Sequence, residues 1–221
     1  INFGFTKVSS SYILIINPDN YISKFDIDLK EIKNDIYTGV RNNLPFFDKF
    51  PSVINDCIKY MTFKSFGVFQ KHIINLRPNL IITESDQIID WVFGDFMLMS
   101  TIVFKKLNGF DESFFLFYEE TDFCMRARKN GIKSRCLHKI KYHSYDYKSS
   151  SEDVSAIKIK SEIESFKHYH SKHSSKFLFT TSIFLLKGFF GLGYILTSIF
   201  RFFFKSLNKS LEIFKIRFHS L

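Results

Sequence analysis

The chain has 221 residues, 45% hydrophobic and 24% charged, which suits one sizeable domain with an appendage and excludes a disordered polymer or two full domains. Its net charge of +9 is concentrated late, since residues 138–221 hold fourteen Lys and Arg against six Asp and Glu. Those cations alternate with Phe and Ile instead of forming an exposed basic arm, so nucleic-acid binding is set aside and a membrane surface is the expected partner.

Taken in chain order, Ile1-Asn-Phe-Gly-Phe5 carries no basic or apolar leader, and no secretory signal is expected there. Tyr12-Ile-Leu-Ile-Ile16 is a short apolar, β-branched run closed by Asn17-Pro-Asp19, the pattern of a buried strand ending in a turn. From Lys24 to Arg77 the patterning is weak, and a strand or two with a helix near Ser52–Tyr60 is expected. Trp91-Val-Phe-Gly-Asp-Phe-Met-Leu-Met99 reads as a strand, followed by a helix over Thr101–Asn108 with Gly109 as its left-handed cap. Glu119 to Gly131 reads as a second helix, with acids in its first turn, bases in its last and Gly131 just beyond.

Short strands are expected at Ser134–Leu137 and Ile140–Tyr145, a linker at Ser149–Asp153 and an amphipathic helix over Asp153–His173. Phe177–Phe204 is apolar but interrupted by Lys187 and Arg201, so an in-plane helix or shallow hairpin is favoured over a single crossing, which needs about 20 apolar residues. Cys57, Cys124 and Cys136 lack metal-binding spacing and are expected to be reduced, buried thiols.

Three groups of residues can carry chemistry. Asp19, on a tight turn after a buried strand, can reach a hard cation, although Asn-Pro-Asp is also an ordinary turn. Glu119, Glu120 and Asp122 crowd three like charges into one helical turn, which repel unless a cation sits among them. They can alternatively serve the helix dipole and pair with Arg126 or Arg128. His143 follows in Lys141-Tyr-His-Ser144, and a lone histidine is ordinarily structural.

Read in order, Asn17-Pro-Asp19, Trp91-Val-Phe-Gly94 with Met97-Leu-Met99, Gly109-Phe-Asp-Glu112, Phe115–Tyr118, Glu119-Glu-Thr-Asp122 with Cys124 and Arg126, Gly131 and the His143 segment resemble the ordered blocks of family 2 glycosyltransferases. The nearest branch is the rhamnosyltransferases of O-antigen and surface-polysaccharide assembly. The resemblance covers about Tyr12 to Tyr145, and the Gly109–Gly131 block is its specific part.

What the resemblance implies is an α/β, GT-A-like (Rossmann-like) mixed sheet with flanking helices, here without its first strands and their nucleotide-holding half. Residues 1–150 would form this partial catalytic domain, and residues 151–221 a helical, membrane-associating extension. It further implies a nucleotide-sugar donor, a lipid-linked glycan acceptor at the cytoplasmic membrane face, Mg²⁺ or Mn²⁺, and an inverting displacement of rhamnose or a similar deoxyhexose. Asp19 would hold the metal with His143 as a further metal or diphosphate contact, Glu120 would act as base, and Glu119 and Asp122 would position acceptor and helix. Trp91, Gly94, Asp95 and Asn17 would meet substrate. Two departures stand out: position 120 is Glu where the family has Asp, and Asp95 stands where a small residue is usual. A truncated, non-catalytic chain that only associates with membrane or assembly partners is the alternative expectation.

Overall fold

The computed structural model describes residues 1–41, 46–62, 80–81, 85–144, 156–200 and 207–221. The expected linker at Ser149–Asp153 and the end of the apolar run at 201–204 lie outside them. The chain divides into two compact units. The first comprises residues 1–50, 78–112 and 119–151, and the second residues 51–77, 113–118 and 152–221.

The first unit opens with the short helix α1 (Asn2–Phe5) and is built on a mixed sheet of β1 (Tyr12–Ile16), β2 (Asn20–Phe25), β3 (Ile36–Arg41), β6 (Gln87–Ile89), β7 (Phe96–Ser100) and β8 (Ser134–Ser144). Their order is β1-β7-β3-β8-β2, with β6 also on β8, and β4 (Phe46–Phe47) pairs separately with β5 (Leu80–Ile81). β7 is buried on both faces, and its alternation divides the core. Met97 and Met99 pack with Phe104, Phe110 and Phe123, while Phe96 and Leu98 pack with Tyr37, Ile140 and Tyr142.

Against the first of these faces lie α3 (Thr101–Lys106) and α4 (Glu119–Lys129). Ser100 caps α3 by accepting from the Val103 amide. Gly109, at φ 68°, turns the chain out of it as the sequence predicts. Gly131, at φ 74°, does the same beyond α4, with the Ile132 amide reaching back to the Ala127 carbonyl.

Two expectations are corrected. The strand expected from Trp91 begins only at Phe96, because Trp91–Asp95 approaches the sheet as irregular chain. The two strands expected at 134–137 and 140–145 are one, β8, whose pairing with β3 slips between Gly39 and Val40. A Cβ on Gly39 would sit 2.6 Å from Ile140 Cγ2. Glycine there lets β8 bulge and continue, so the apparent break in the sequence is an irregularity inside a strand.

The second unit joins α2 (Val53–Thr62), α5 (Ala156–His173), α6 (Lys176–Phe200) and α7 (Leu207–Ser220) with the segment Ser113–Tyr118. Their shared core includes Val53, Tyr60, Ile163, Phe166, Leu186, Phe190 and Phe214. α6 is one continuous helix, which replaces the hairpin alternative as far as residue 200. Gly193 receives the Phe214 ring of α7 where a Cβ would be 2.5 Å away. On α6, Phe177, Phe184, Leu185, Leu192, Ile195 and Leu196 are exposed, and Lys176–Leu196 is long and apolar enough to cross a membrane.

Candidate functional site

β1 runs antiparallel to β7, β7 antiparallel to β3, and β3 parallel to β8. β1, β3 and β8 therefore end at the same edge of the sheet. Their last residues lead into Asn17-Pro-Asp19, or are Arg41 and Tyr142-His143-Ser144 themselves. β7 runs the other way and starts at this edge, so Gly94 and Asp95 lie there too, as does Asn20 at the start of β2. The carboxyl ends of parallel strands are where open α/β sheets take their ligands.

Asp95 ties the edge together. Its main-chain carbonyl accepts from the Asn17 amide at 3.0 Å and from Asn20 Nδ2 at 2.7 Å, which fixes the corner carrying Asp19. Its carboxylate accepts from the Tyr142 hydroxyl at 3.0 Å and pairs with Arg41 Nη1 at 3.4 Å. Burial raises the Asp95 carboxyl above its ordinary value, against the lowering pull of Tyr142 and Arg41.

One residue earlier, Gly94 opens onto Glu120. A Cβ at position 94 would lie 3.7 to 3.9 Å from the Cβ, Cδ and Cγ of that side chain. Glu120 lies in the first turn of α4, which is entered through Phe117 and Tyr118 in the left-handed region at φ 70° and 66°, a costly conformation for such residues. Although part of its surface stays open, burial pushes the Glu120 carboxyl up to about 7, with the charges of Glu119 and Asp95 adding to the shift. Burial also raises Glu119, whose Oε2 is enclosed without a hydrogen-bond partner. The arrangement thus offers a carboxylate able to take and release a proton near neutral pH.

Asp122 is placed differently from its two neighbours. It is fully buried, and its Oδ2 accepts from Arg126 Nε at 2.7 Å. Arg126 also donates to the Leu107 and Gly109 carbonyls at the end of α3. Its carboxylate is committed to joining two helices, the pairing that the i, i+4 spacing allows. Trp91 donates its indole N–H to the Lys49 carbonyl at 3.3 Å and packs edge-on to Phe93.

A hydrogen bond therefore joins Asn17 to Asp95, and the neighbouring Gly94 faces Glu120. Strand register brings Asp19 and His143 to the same edge: Asn20, next to Asp19, pairs with Ser144, and His143 stands opposite Tyr21 with ring centroids 6.3 Å apart. Trp91 and Asp122 are held by other partners. Sequence reasoning missed Arg41, Asn20 and Tyr142. Asn20 and Tyr142 adjoin residues that were singled out, whereas Arg41 lies in the weakly patterned stretch.

Among the described residues, no three His, Cys, Asp or Glu side chains gather closely enough to hold a metal by themselves. At this edge the strand register places one carboxylate, Asp19, and one imidazole, His143.

No protein-family profile matches the chain. It is similar to rhamnosyltransferase WbbL of Escherichia coli (strain K12), 26% identical over 157 residues that cover 66% of this chain and 57% of the relative. It is also similar to the low-salt glycan biosynthesis hexosyltransferase Agl10 of Haloferax volcanii, 28% identical over 139 residues, 60% of this chain and 41% of the relative. The chain spans about half the length of these curated relatives. Both relatives are glycosyltransferases by name.

Proposed function

We propose that the chain carries the catalytic part of a GT-A, family 2 glycosyltransferase of the rhamnosyltransferase type. It moves rhamnose or a similar deoxyhexose from a nucleotide-sugar to a lipid-linked glycan of a surface polysaccharide such as O-antigen. The work is done at the cytoplasmic face of the membrane, where the apolar side chains of α6 give the chain its hold. The observation that carries this reading is the Glu120 side chain facing Gly94 at the edge where β1, β3 and β8 end, and burial raises its carboxyl in support.

In the displacement, Glu120 removes the proton of the acceptor hydroxyl. The freed oxygen bonds to the anomeric carbon from one side while the bond to the diphosphate oxygen breaks on the other, inverting the centre and releasing a nucleoside diphosphate. Asn17 and Asp95 shape the donor side, Gly94 the floor beneath the sugar, and Glu119 orients the acceptor. Asp122 fixes the helix that presents Glu119 and Glu120. Mg²⁺ or Mn²⁺ held by Asp19 and His143 would neutralise charge on the departing diphosphate.

The test is a transfer assay with the full chain, a panel of dTDP- and UDP-sugars and polyprenyl-linked acceptors. Glu120→Gln is expected to cut the rate roughly 10²–10⁴-fold with its circular dichroism spectrum intact. An unchanged rate in that variant removes Glu120 as base. Absence of both transfer and donor binding in the unaltered chain favours the non-catalytic reading instead.

A further inference from the structure

Arg41 closes β3 at the same edge as the Asp19 corner, its backbone in parallel register with Tyr142, the residue before His143. Its guanidinium is largely buried, yet the manner in which it is held sets it apart from two other arginines of its unit. Arg126 meets Asp122 at 2.7 Å and Arg135 meets Asp35 at 2.6 Å, the close approach of a charge-assisted hydrogen bond. Arg41 stays 3.4 Å from Asp95, although the two side chains are only 15% and 11% exposed. The carboxylate of Asp95 already takes a hydrogen bond from Tyr142, so it keeps a partner if the guanidinium moves.

The charge at this edge demands a cation. Glu119, Glu120 and Asp95 act on one another electrostatically, Asp19 stands on the adjoining corner, and a diphosphate arriving there would add further negative charge. A guanidinium presents a planar fork that matches two phosphate oxygens, and it gives up hydration more easily than an ammonium.

Resting on the proposed nucleotide-sugar donor, we propose that Arg41 is a binding residue for that donor's diphosphate, held in readiness by Asp95 and exchanged from carboxylate to phosphate when the donor enters. Asp95 then has two parts: its carbonyl fixes the Asn17–Asn20 corner, and its carboxylate parks the arginine beside it.

Calorimetric titration of the full chain with inorganic pyrophosphate and with dTDP, each in EDTA and in Mg²⁺, reads this directly. Arg41→Gln is expected to bind both roughly 10- to 100-fold more weakly, the usual worth of a hydrogen bond to a charged group. Arg41→Lys, which keeps the charge and loses the fork, is expected to fall between. Asp95→Asn retains a partner for Tyr142 and removes the charge that parks the guanidinium, so its affinity for pyrophosphate is expected to exceed that of the unaltered chain. A purely structural Arg41–Asp95 pair would not give that result.

Wild-type affinity in Arg41→Gln overturns the assignment and leaves the transferase reading standing. Should that variant unfold, Arg41→Lys carries the test, and undiminished affinity there overturns the fork. No binding of either anion by the unaltered chain also overturns the assignment, while sugar transfer is judged by its own assay.

Discussion

Each unit draws a carboxylate at least partly out of water, and the two are treated in opposite ways. In the helical unit, Asp56 is 2% exposed, and its Oδ2 lies 2.8 Å from the Tyr118 hydroxyl and 2.9 Å from His170 Nε2. The far nitrogen of His170 in turn meets Ser174 Oγ at 2.8 Å. In the sheet unit, Glu120 is enclosed beside Glu119 and Asp95, whose charges oppose its ionisation. A buried acid whose hydrogen bonds are complete stabilises the native state. One set among like charges gives up stability and gains a proton affinity suited to catalysis.

The largest effect expected from this contrast is on stability. Asp56→Ala removes the partner of both Tyr118 and His170 in a dry interior and is expected to cost about 3–5 kcal/mol. Glu120→Gln, made where part of the side chain stays open, is expected to leave stability at pH 8 unchanged or higher. Urea unfolding of the two variants beside the unaltered chain measures this. Equal destabilisation by both would erase the distinction between the two acids.

The same contrast explains what could be read from the sequence. The Glu119–Asp122 turn, Asp122 with Arg126, and the glycines at 109 and 131 are local devices, decided by residues within four or five positions, so the sequence alone predicts them. The edge itself was legible only through the order of its blocks. Continuous β8 depends on Gly39 and Ile140, which lie 101 positions apart in the numbering and clear each other only because one has no side chain. Arg41 ends a strand whose apolar pattern is too short to announce itself. The Asp56–His170 pair spans 114 positions, and nothing near either residue marks it. Long-range polar pairing leaves no period in a sequence.

A second effect is expected in the pH dependence. Glu120 rises from an ordinary 4.5 to about 7 on folding, so between those values the native chain holds a proton that the unfolded chain has lost. Stability therefore falls as pH rises through that window, by about 3 kcal/mol from this group. Glu119 and Asp95, both raised by burial, act in the same direction. Unfolding measured at intervals from pH 5 to pH 8 should show the decline, and Glu120→Gln should flatten much of it. In the transfer assay the active form is the carboxylate, so the rate should rise with pH around a midpoint near 7. A midpoint near 4.5 would mean that Glu120 is hydrated in the working protein and that the comparison with Asp56 overstates its enclosure.

The smallest effect belongs to Gly94, and it separates room from chemistry. A methyl group there would rest 3.7 Å or more from every atom of Glu120 that faces it, an ordinary contact, so Gly94→Ala is expected to change stability by less than about 1 kcal/mol. The added methyl nevertheless displaces water from beside the carboxylate. Removing water from a carboxylate makes its charged form harder to keep, so the midpoint of the rate profile is expected to move upward by a fraction of a unit while the melting curve stays in place. A profile that does not move would place the open side of Glu120 elsewhere, and the floor beneath the acceptor would then have to be sought beyond Gly94.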